Sequence, residues 1–138
     1  YTRCREHLVG ALKLGAAWAG PAQAAGTGQV PLADRAITFA PVGSLIPYAL
    51  RAVRKGGTVA INAVHLDHIP EFSYDLLYGE RTLKSVANLT RQDGLEFLEV
   101  AAQIPIQVET EAFPLEEANQ ALKRLKAAQI KGAAVLIL

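Results

Sequence analysis

The stretch from Ala36 to Asn88 limits what this chain can fold into more than any other. Ala36-Ile37-Thr38-Phe39-Ala40 is a short apolar run bounded by charge and by Pro41. Such a run suits a strand covered on both faces, as in parallel sheets. Gly43 and Ser44 open a helix, with Pro47 in the first turn, where its missing N–H is not required. Leu45, Tyr48, Ala49, Ala52 and Val53 form the apolar stripe, and Arg51, Arg54 and Lys55 cluster toward the end that favours cations. Gly56-Gly57 predicts the stop and the turn, and Thr58 to Ala63 the next strand. Val64 to Gly79 reads as irregular, with a helical turn at Ser73 to Tyr78. Leu83 to Asn88 is a third strand.

The flanks follow the same alternation. Tyr1 to Arg3 reads as the end of a strand, and Glu6 to Leu14 as a helix that Gly15 can close in the left-handed conformation. Ala16 to Ala19 is expected to be a short strand, with Trp18 in the core. Gly20 to Leu32 is a loop, the segment expected to be most mobile. Thr90 caps a helix, with Asp93 three positions on. Ile106 to Phe113 alternates apolar and polar residues, the pattern of a half-exposed strand. Pro114 opens a helix through Leu125, which Lys131-Gly132 ends. Ala133 to Leu138 closes the chain as a strand.

Strands alternating with helices imply an α/β fold with a mainly parallel sheet. The rhythm is that of the second half of a doubly wound, Rossmann-like sheet, lacking its first strand and its glycine loop. The 138 residues read as one truncated domain: 1–33 a remnant of the first half with a mobile loop, 34–103 the second half, and 104–138 a strand–helix–strand tail. Ligands in such sheets lie outside the carboxyl ends of the strands. That places the candidate positions at Pro41 to Ser44, Asn62 to His68 and Asn88 to Arg91.

Composition narrows the alternatives. A formal net charge of +1 gives no electrostatic reason to expect nucleic acid or an anionic membrane as partner. The single cysteine, Cys4, excludes an internal disulfide framework and a multi-cysteine zinc site. It fits a reducing, cytoplasmic setting. No apolar run approaches the roughly 20 residues needed to span a bilayer, and no secretory signal is recognised. The chain holds no methionine and begins at Tyr1, so its start is expected to be trimmed, disordered or proteolysed.

Several blocks together resemble the zinc-type, medium-chain alcohol dehydrogenases. They are Phe39-Ala40-Pro41-Val42-Gly43, Leu50-Arg51-Ala52-Val53-Arg54-Lys55-Gly56-Gly57-Thr58-Val59 and Gly79-Glu80-Arg81-Thr82-Leu83-Lys84-Ser85, then Phe113 to Leu122 and Lys131 to Leu136. The resemblance covers nearly the whole chain but about the last 40 per cent of a two-domain enzyme. It implies an oxidoreductase that, when whole, moves hydride between an alcohol and NAD or NADP. Val42 and Gly43 would lie on the adenosine side of the cofactor, in the turn after the family's fourth strand. Asn62 and Val64 would face the nicotinamide, and the backbone at Val86 and Asn88 would hold the carboxamide. Lys131 would sit where the family often places an arginine on the pyrophosphate. Arg3 follows what resembles the end of the second strand, where an arginine suits the 2′-phosphate of NADP.

Departures from the family pattern bear on activity. The G-x-G-x-x-G loop, whose N–H groups grip the pyrophosphate, is not in the sequence. Gly26-Thr27-Gly28-Gln29-Val30-Pro31 imitates it but leads into proline rather than a helix, so it is a decoy. The catalytic zinc domain is missing as well, and zinc is not expected in this chain. His65, Asp67 and His68 could hold a metal, but their loose spacing and the want of another strong ligand point to a solvated loop. Cys4 between Arg3 and Arg5 could be a reactive thiol, but reads as passive. The expectation is therefore a chain with no turnover of its own and weak or absent dinucleotide binding. Without a neighbouring first strand, Ala36 to Ala40 becomes an apolar edge that invites another chain. A homo-oligomer formed through a sheet edge is the expected partner state. A non-catalytic assembly module is the alternative function. In family dimers the sixth strands pair across a two-fold axis, an option that Leu83 to Asn88 keeps.

Overall fold

Apolar runs of four or five residues, separated by glycine and proline, are too short for long helices and the right length for strands. A computed structural model of the chain describes residues 5–138, with side chains from residue 8 on. In chain order the elements are α1 (Arg5–Lys13), β1 (Ala33–Thr38), α2 (Leu45–Ala52), β2 (Val53–Ile61), β3 (Thr82–Ser85), α3 (Arg91–Ala101), β4 (Thr110–Pro114), α4 (Ala118–Lys126) and β5 (Ala133–Ile137). Short 3-10 turns lie at Ala22–Ala24, Tyr74–Leu76 and Leu115–Glu117. The described residues form two compact units, divided between Asn88 and Leu89.

The first unit holds a parallel sheet in the order β1-β2-β3. Thr38 stands beside Ile61, and Ile61 beside Ser85, so the three carboxyl ends are level. Helix α2 supplies Ile46, Ala49 and Leu50 to a core shared with Val53, Val59 and Ile61. Leu66, Ile69, Phe72, Leu76 and Leu77 of the long loop pack against the same cluster. This is the expected Rossmann-like α/β arrangement: parallel strands joined through a helix.

Three expectations for this unit are corrected. Ala16 to Ala19 form no strand; the segment is irregular and Trp18 is half-buried. Helix α2 ends at Ala52 rather than at Gly56-Gly57. The register explains why. Strand β1 advances from Ala33 to Arg35 while β2 advances from Val53 to Thr58. Arg54 to Gly57 therefore bulge from β2, with Gly56 at φ 72° and its N–H donated to the Gly79 carbonyl at 2.9 Å. The expected strand Ala36–Ala40 is shifted to Ala33–Thr38 and is not covered on both faces: Ile37 is 60 % exposed and Phe39, just beyond it, 68 %. As the outer strand of the sheet, β1 has one strand neighbour among the described residues.

In the second unit β4 and β5 pair in parallel, with α4 between them in sequence. Phe113 and Ala121 are its buried apolar residues. The Glu111 carboxylate accepts from Arg124 Nη2 at 2.7 Å and from the Lys131 N–H at 2.9 Å, pinning the turn before β5. The Lys131 N–H, more than the nearby cations, holds the Glu111 carboxyl below its ordinary value of 4.5. Arg124 also lies over the Phe113 ring at 5.3 Å. The capping box of α3 is as expected: the Asp93 N–H donates to Thr90 Oγ1 and the Thr90 N–H to Asp93 Oδ2. The expected strand Ile106 to Phe113 begins only at Thr110. The expected helix at Pro114 starts instead as a 3-10 turn, since Pro114 itself is extended at φ −62° and ψ 152°.

Candidate functional site

A level row of parallel strand ends creates a site from the backbone outward. The main chain continues the ladder one step past each strand. The Asn62 N–H donates to the Thr38 carbonyl at 2.9 Å, and the Val86 N–H to the Ile61 carbonyl at 2.9 Å. Beyond those bonds, the Val64 and Asn88 N–H groups and the Asn62 and Val86 carbonyls take no hydrogen bond among the described residues. Asn62, Val64, Val86 and Asn88 are all exposed, Val64 to 88 %. The edge thus offers free main-chain donors and acceptors, the two kinds of group that recognise an amide.

The turn after β1 closes one end of this row. Gly43 is buried, and its N–H donates to Asp67 Oδ1 in the loop after β2. A Cβ on Gly43 would stand 2.6 Å from the His68 carbonyl carbon, so only glycine admits this approach. Val42, half-buried, accepts the Leu45 N–H through its carbonyl at 3.1 Å as α2 begins. Sequence reasoning weighed Asp67 as a metal ligand and placed it in a solvated loop; the structure brings its carboxylate to the Gly43 N–H. Its partner is 24 positions away, so no local pattern announces the contact. Thr38 Oγ1, at the end of β1, is buried without a hydrogen-bond partner.

Of the eight positions singled out, Val42, Gly43, Asn62, Val64, Val86 and Asn88 follow the strand ends of the first unit. Lys131 belongs to the second unit; its side chain is exposed and its N–H is held by Glu111. Arg3 lies outside the described residues, as do Cys4 and the expected strand end at Tyr1 to Arg3. Gly26 to Pro31 is a turn with Gly26 and Gly28 at positive φ, and it opens no helix. Among the described residues, no group of three or more histidine, cysteine, aspartate or glutamate side chains could hold a metal ion. No helix among them is long and apolar enough to cross a membrane.

Level parallel strands with a glycine turn at their carboxyl ends define a partial Rossmann-like domain. No family model matches the chain. It is 47 % identical over 129 residues to the probable alcohol dehydrogenase AdhA of Mycobacterium tuberculosis, a match covering 93 % of this chain and 36 % of that protein. Its fold is similar to the alcohol dehydrogenase of the hyperthermophilic archaeon Aeropyrum pernix, with a TM-score of 0.75 and 22 % identity over 99 % of this chain and 41 % of that one. A cinnamyl alcohol dehydrogenase of Sorghum bicolor gives a TM-score of 0.78 at 17 % identity, over 96 % of this chain and 38 % of that one. The chain is thus similar to one part of an alcohol dehydrogenase, spanning about a third of the length of the curated relative it matches.

Proposed function

We propose that this chain is the nicotinamide-facing, C-terminal portion of an NAD- or NADP-dependent zinc-type alcohol dehydrogenase, without turnover on its own. The observation that carries the reading is the row of free main-chain groups at Asn62, Val64, Val86 and Asn88, in a chain matching about a third of an alcohol dehydrogenase. A bound dinucleotide would supply the hydride acceptor, and the whole enzyme would take that hydride from an alcohol. The part of this chain is to bind and orient. The Asn88 N–H and the Val86 carbonyl hold a carboxamide in plane, and Val42 and Gly43 border the adenosine side. Lys131 serves the pyrophosphate in this reading, and Arg3 favours the 2′-phosphate of NADP. The setting is cytoplasmic in this reading.

Calorimetry with NADP and NAD, alongside amide chemical shifts, tests the reading. Binding weaker than micromolar is expected, with shifts at Asn62, Val64, Val86 and Asn88. Zinc-dependent alcohol oxidation by this chain alone would refute the account.

One observation favours a second reading, a non-catalytic module that self-associates. Strand β1 presents Ile37, and Phe39 just beyond it, to solvent beside an open strand edge, and such edges template pairing. Light scattering decides it. A dimer abolished by Ile37→Lys supports the module, whereas a monomer removes it.

A further inference from the structure

The first unit has a second concave surface, at the amino-terminal ends of β2 and β3. The paired stretch Thr58 to Ile61 separates it from the strand-end site by roughly 10 Å, at about 3.3 Å per residue. This open cleft of about 890 Å³ is lined chiefly by Arg54, Lys55, Tyr74, Leu77, Tyr78 and Arg81.

The bulge in β2 is what gathers its charge. Between Val53 and Thr58 the chain leaves the ladder, and Arg54 and Lys55 come out at the rim. Arg54 Nε is held by Asp34 Oδ1 at 2.5 Å, and its Nη1 donates to the Lys55 carbonyl at 3.1 Å. Arg81 is fixed by carbonyls rather than by a carboxylate. Its Nε donates to Val53 O at 3.1 Å and its Nη1 to Tyr78 O at 2.9 Å. Its charge is positioned without being neutralised. Lys55 Nζ takes no ion pair among the described residues. With Arg54 paired to Asp34, the lining leaves two cations, Lys55 and Arg81, against one carboxylate, Glu80. In the same lining, the Tyr74 and Tyr78 rings meet edge to face, with centroids 5.9 Å apart. Glu80 itself stands at φ 64°, a left-handed conformation that costs a residue with a Cβ and recurs at ligand clamps.

We propose that this cleft binds a small anion carrying an aromatic ring, an aryl phosphate or aryl carboxylate. The anionic head meets Lys55 and Arg81, and the ring lies against Tyr74 and Tyr78. Charge-assisted hydrogen bonds and ring stacking are the two interactions this lining can offer together. The inference is independent of the strand-end reading.

The test uses the full chain and amide chemical shifts, with phenyl phosphate, benzoate, inorganic phosphate and phenol as probes. Saturable shifts at Gly56, Gly79 and Glu80 are expected for phenyl phosphate or benzoate, and the tighter of the two identifies the head group. That probe should bind roughly tenfold tighter than inorganic phosphate or phenol. Lys55→Gln should weaken it roughly tenfold. Tyr78→Leu should erase the preference over inorganic phosphate. Both side chains are exposed, so circular dichroism and the urea midpoint should not move. Absence of saturable shifts with either aryl anion overturns the proposal, as does a Lys55→Gln variant that binds like the parent. Titration with NADP, followed at Asn62, Val86 and Asn88, reports on the strand-end reading alone, so the two fail separately.

Discussion

Replacing Gly43 by alanine tests how the strand-end site is held shut at one end. An ideal Cβ there would stand 2.6 Å from the His68 carbonyl carbon and 2.9 Å from Asp67 Oδ1. Unstrained carbon contacts begin near 3.5 Å, so the loop must retreat by about 1 Å. The obstacle is main chain, which cannot rotate aside as a long side chain would. Overpacking of this kind costs about 1–3 kcal/mol. The retreat also removes the Gly43 to Asp67 hydrogen bond, worth roughly 1 kcal/mol at a partly exposed site. The total, roughly 2–4 kcal/mol, is a large share of the stability of a small domain. Trp18 is the one tryptophan and lies in the first unit, so its fluorescence in a urea titration reads this unit directly. A double-mutant cycle then isolates the bond. Asp67→Ala should cost roughly 1 kcal/mol in the parent background and close to nothing beside Gly43→Ala. A Gly43→Ala chain within about 0.5 kcal/mol of the parent would refute the reasoning, because such an outcome is typical of unconstrained surface positions.

Other outcomes follow from the same geometry. Leu50 is fully buried among Ile46, Val53 and Val59, so Leu50→Ala should destabilise the first unit by about 3–5 kcal/mol in the same fluorescence assay. In the second unit the pKa of Glu111 is lowered, first by the Lys131 N–H. Its contribution is fully present above the ordinary value of 4.5 and lost as pH falls through the lowered value. Urea titrations by circular dichroism from pH 6 down to 3 should show this loss, and Glu111→Gln should flatten it. Thr90→Ala removes the cap of α3 and should cost about 1 kcal/mol, seen as faster amide exchange in its first turn.

Much of the first unit was legible because its signals are local. The apolar run at Thr58 to Ile61, the start of α2 after Gly43 and Ser44, and the Thr90–Asp93 box each act within a few residues. The helix end at Ala52 was misplaced because the bulge at Arg54 to Gly57 depends on where β1 lies, a contact some 20 positions away. The short apolar segment at Ala16 to Ala19 resembles a strand by composition, and nothing local says that it lacks a partner. The strand ends were legible, since carboxyl ends follow from strand order, but the Gly43 to Asp67 contact was not. Exposure was the hardest quantity to read: Ile37 and Phe39 carry the composition of a covered strand and stand open.

A row of strand ends built from main-chain groups is compatible with a fold shared at 17–22 % identity. Its donors and acceptors are backbone groups, and register, not side-chain identity, sets where they point. Asn62 and Val86 keep their places because Thr38 and Ile61 accept their N–H groups, whatever side chains they carry. The demands on sequence fall elsewhere: a glycine where the turn meets the loop, an aspartate to receive its N–H, and small apolar residues at alternate positions of β2. Substitutions at Val64 or Asn88 should therefore change the ligand surface with little effect on stability. Those at Gly43 or Val59 should change both together. That contrast separates a backbone-built site from one that rests on its side chains.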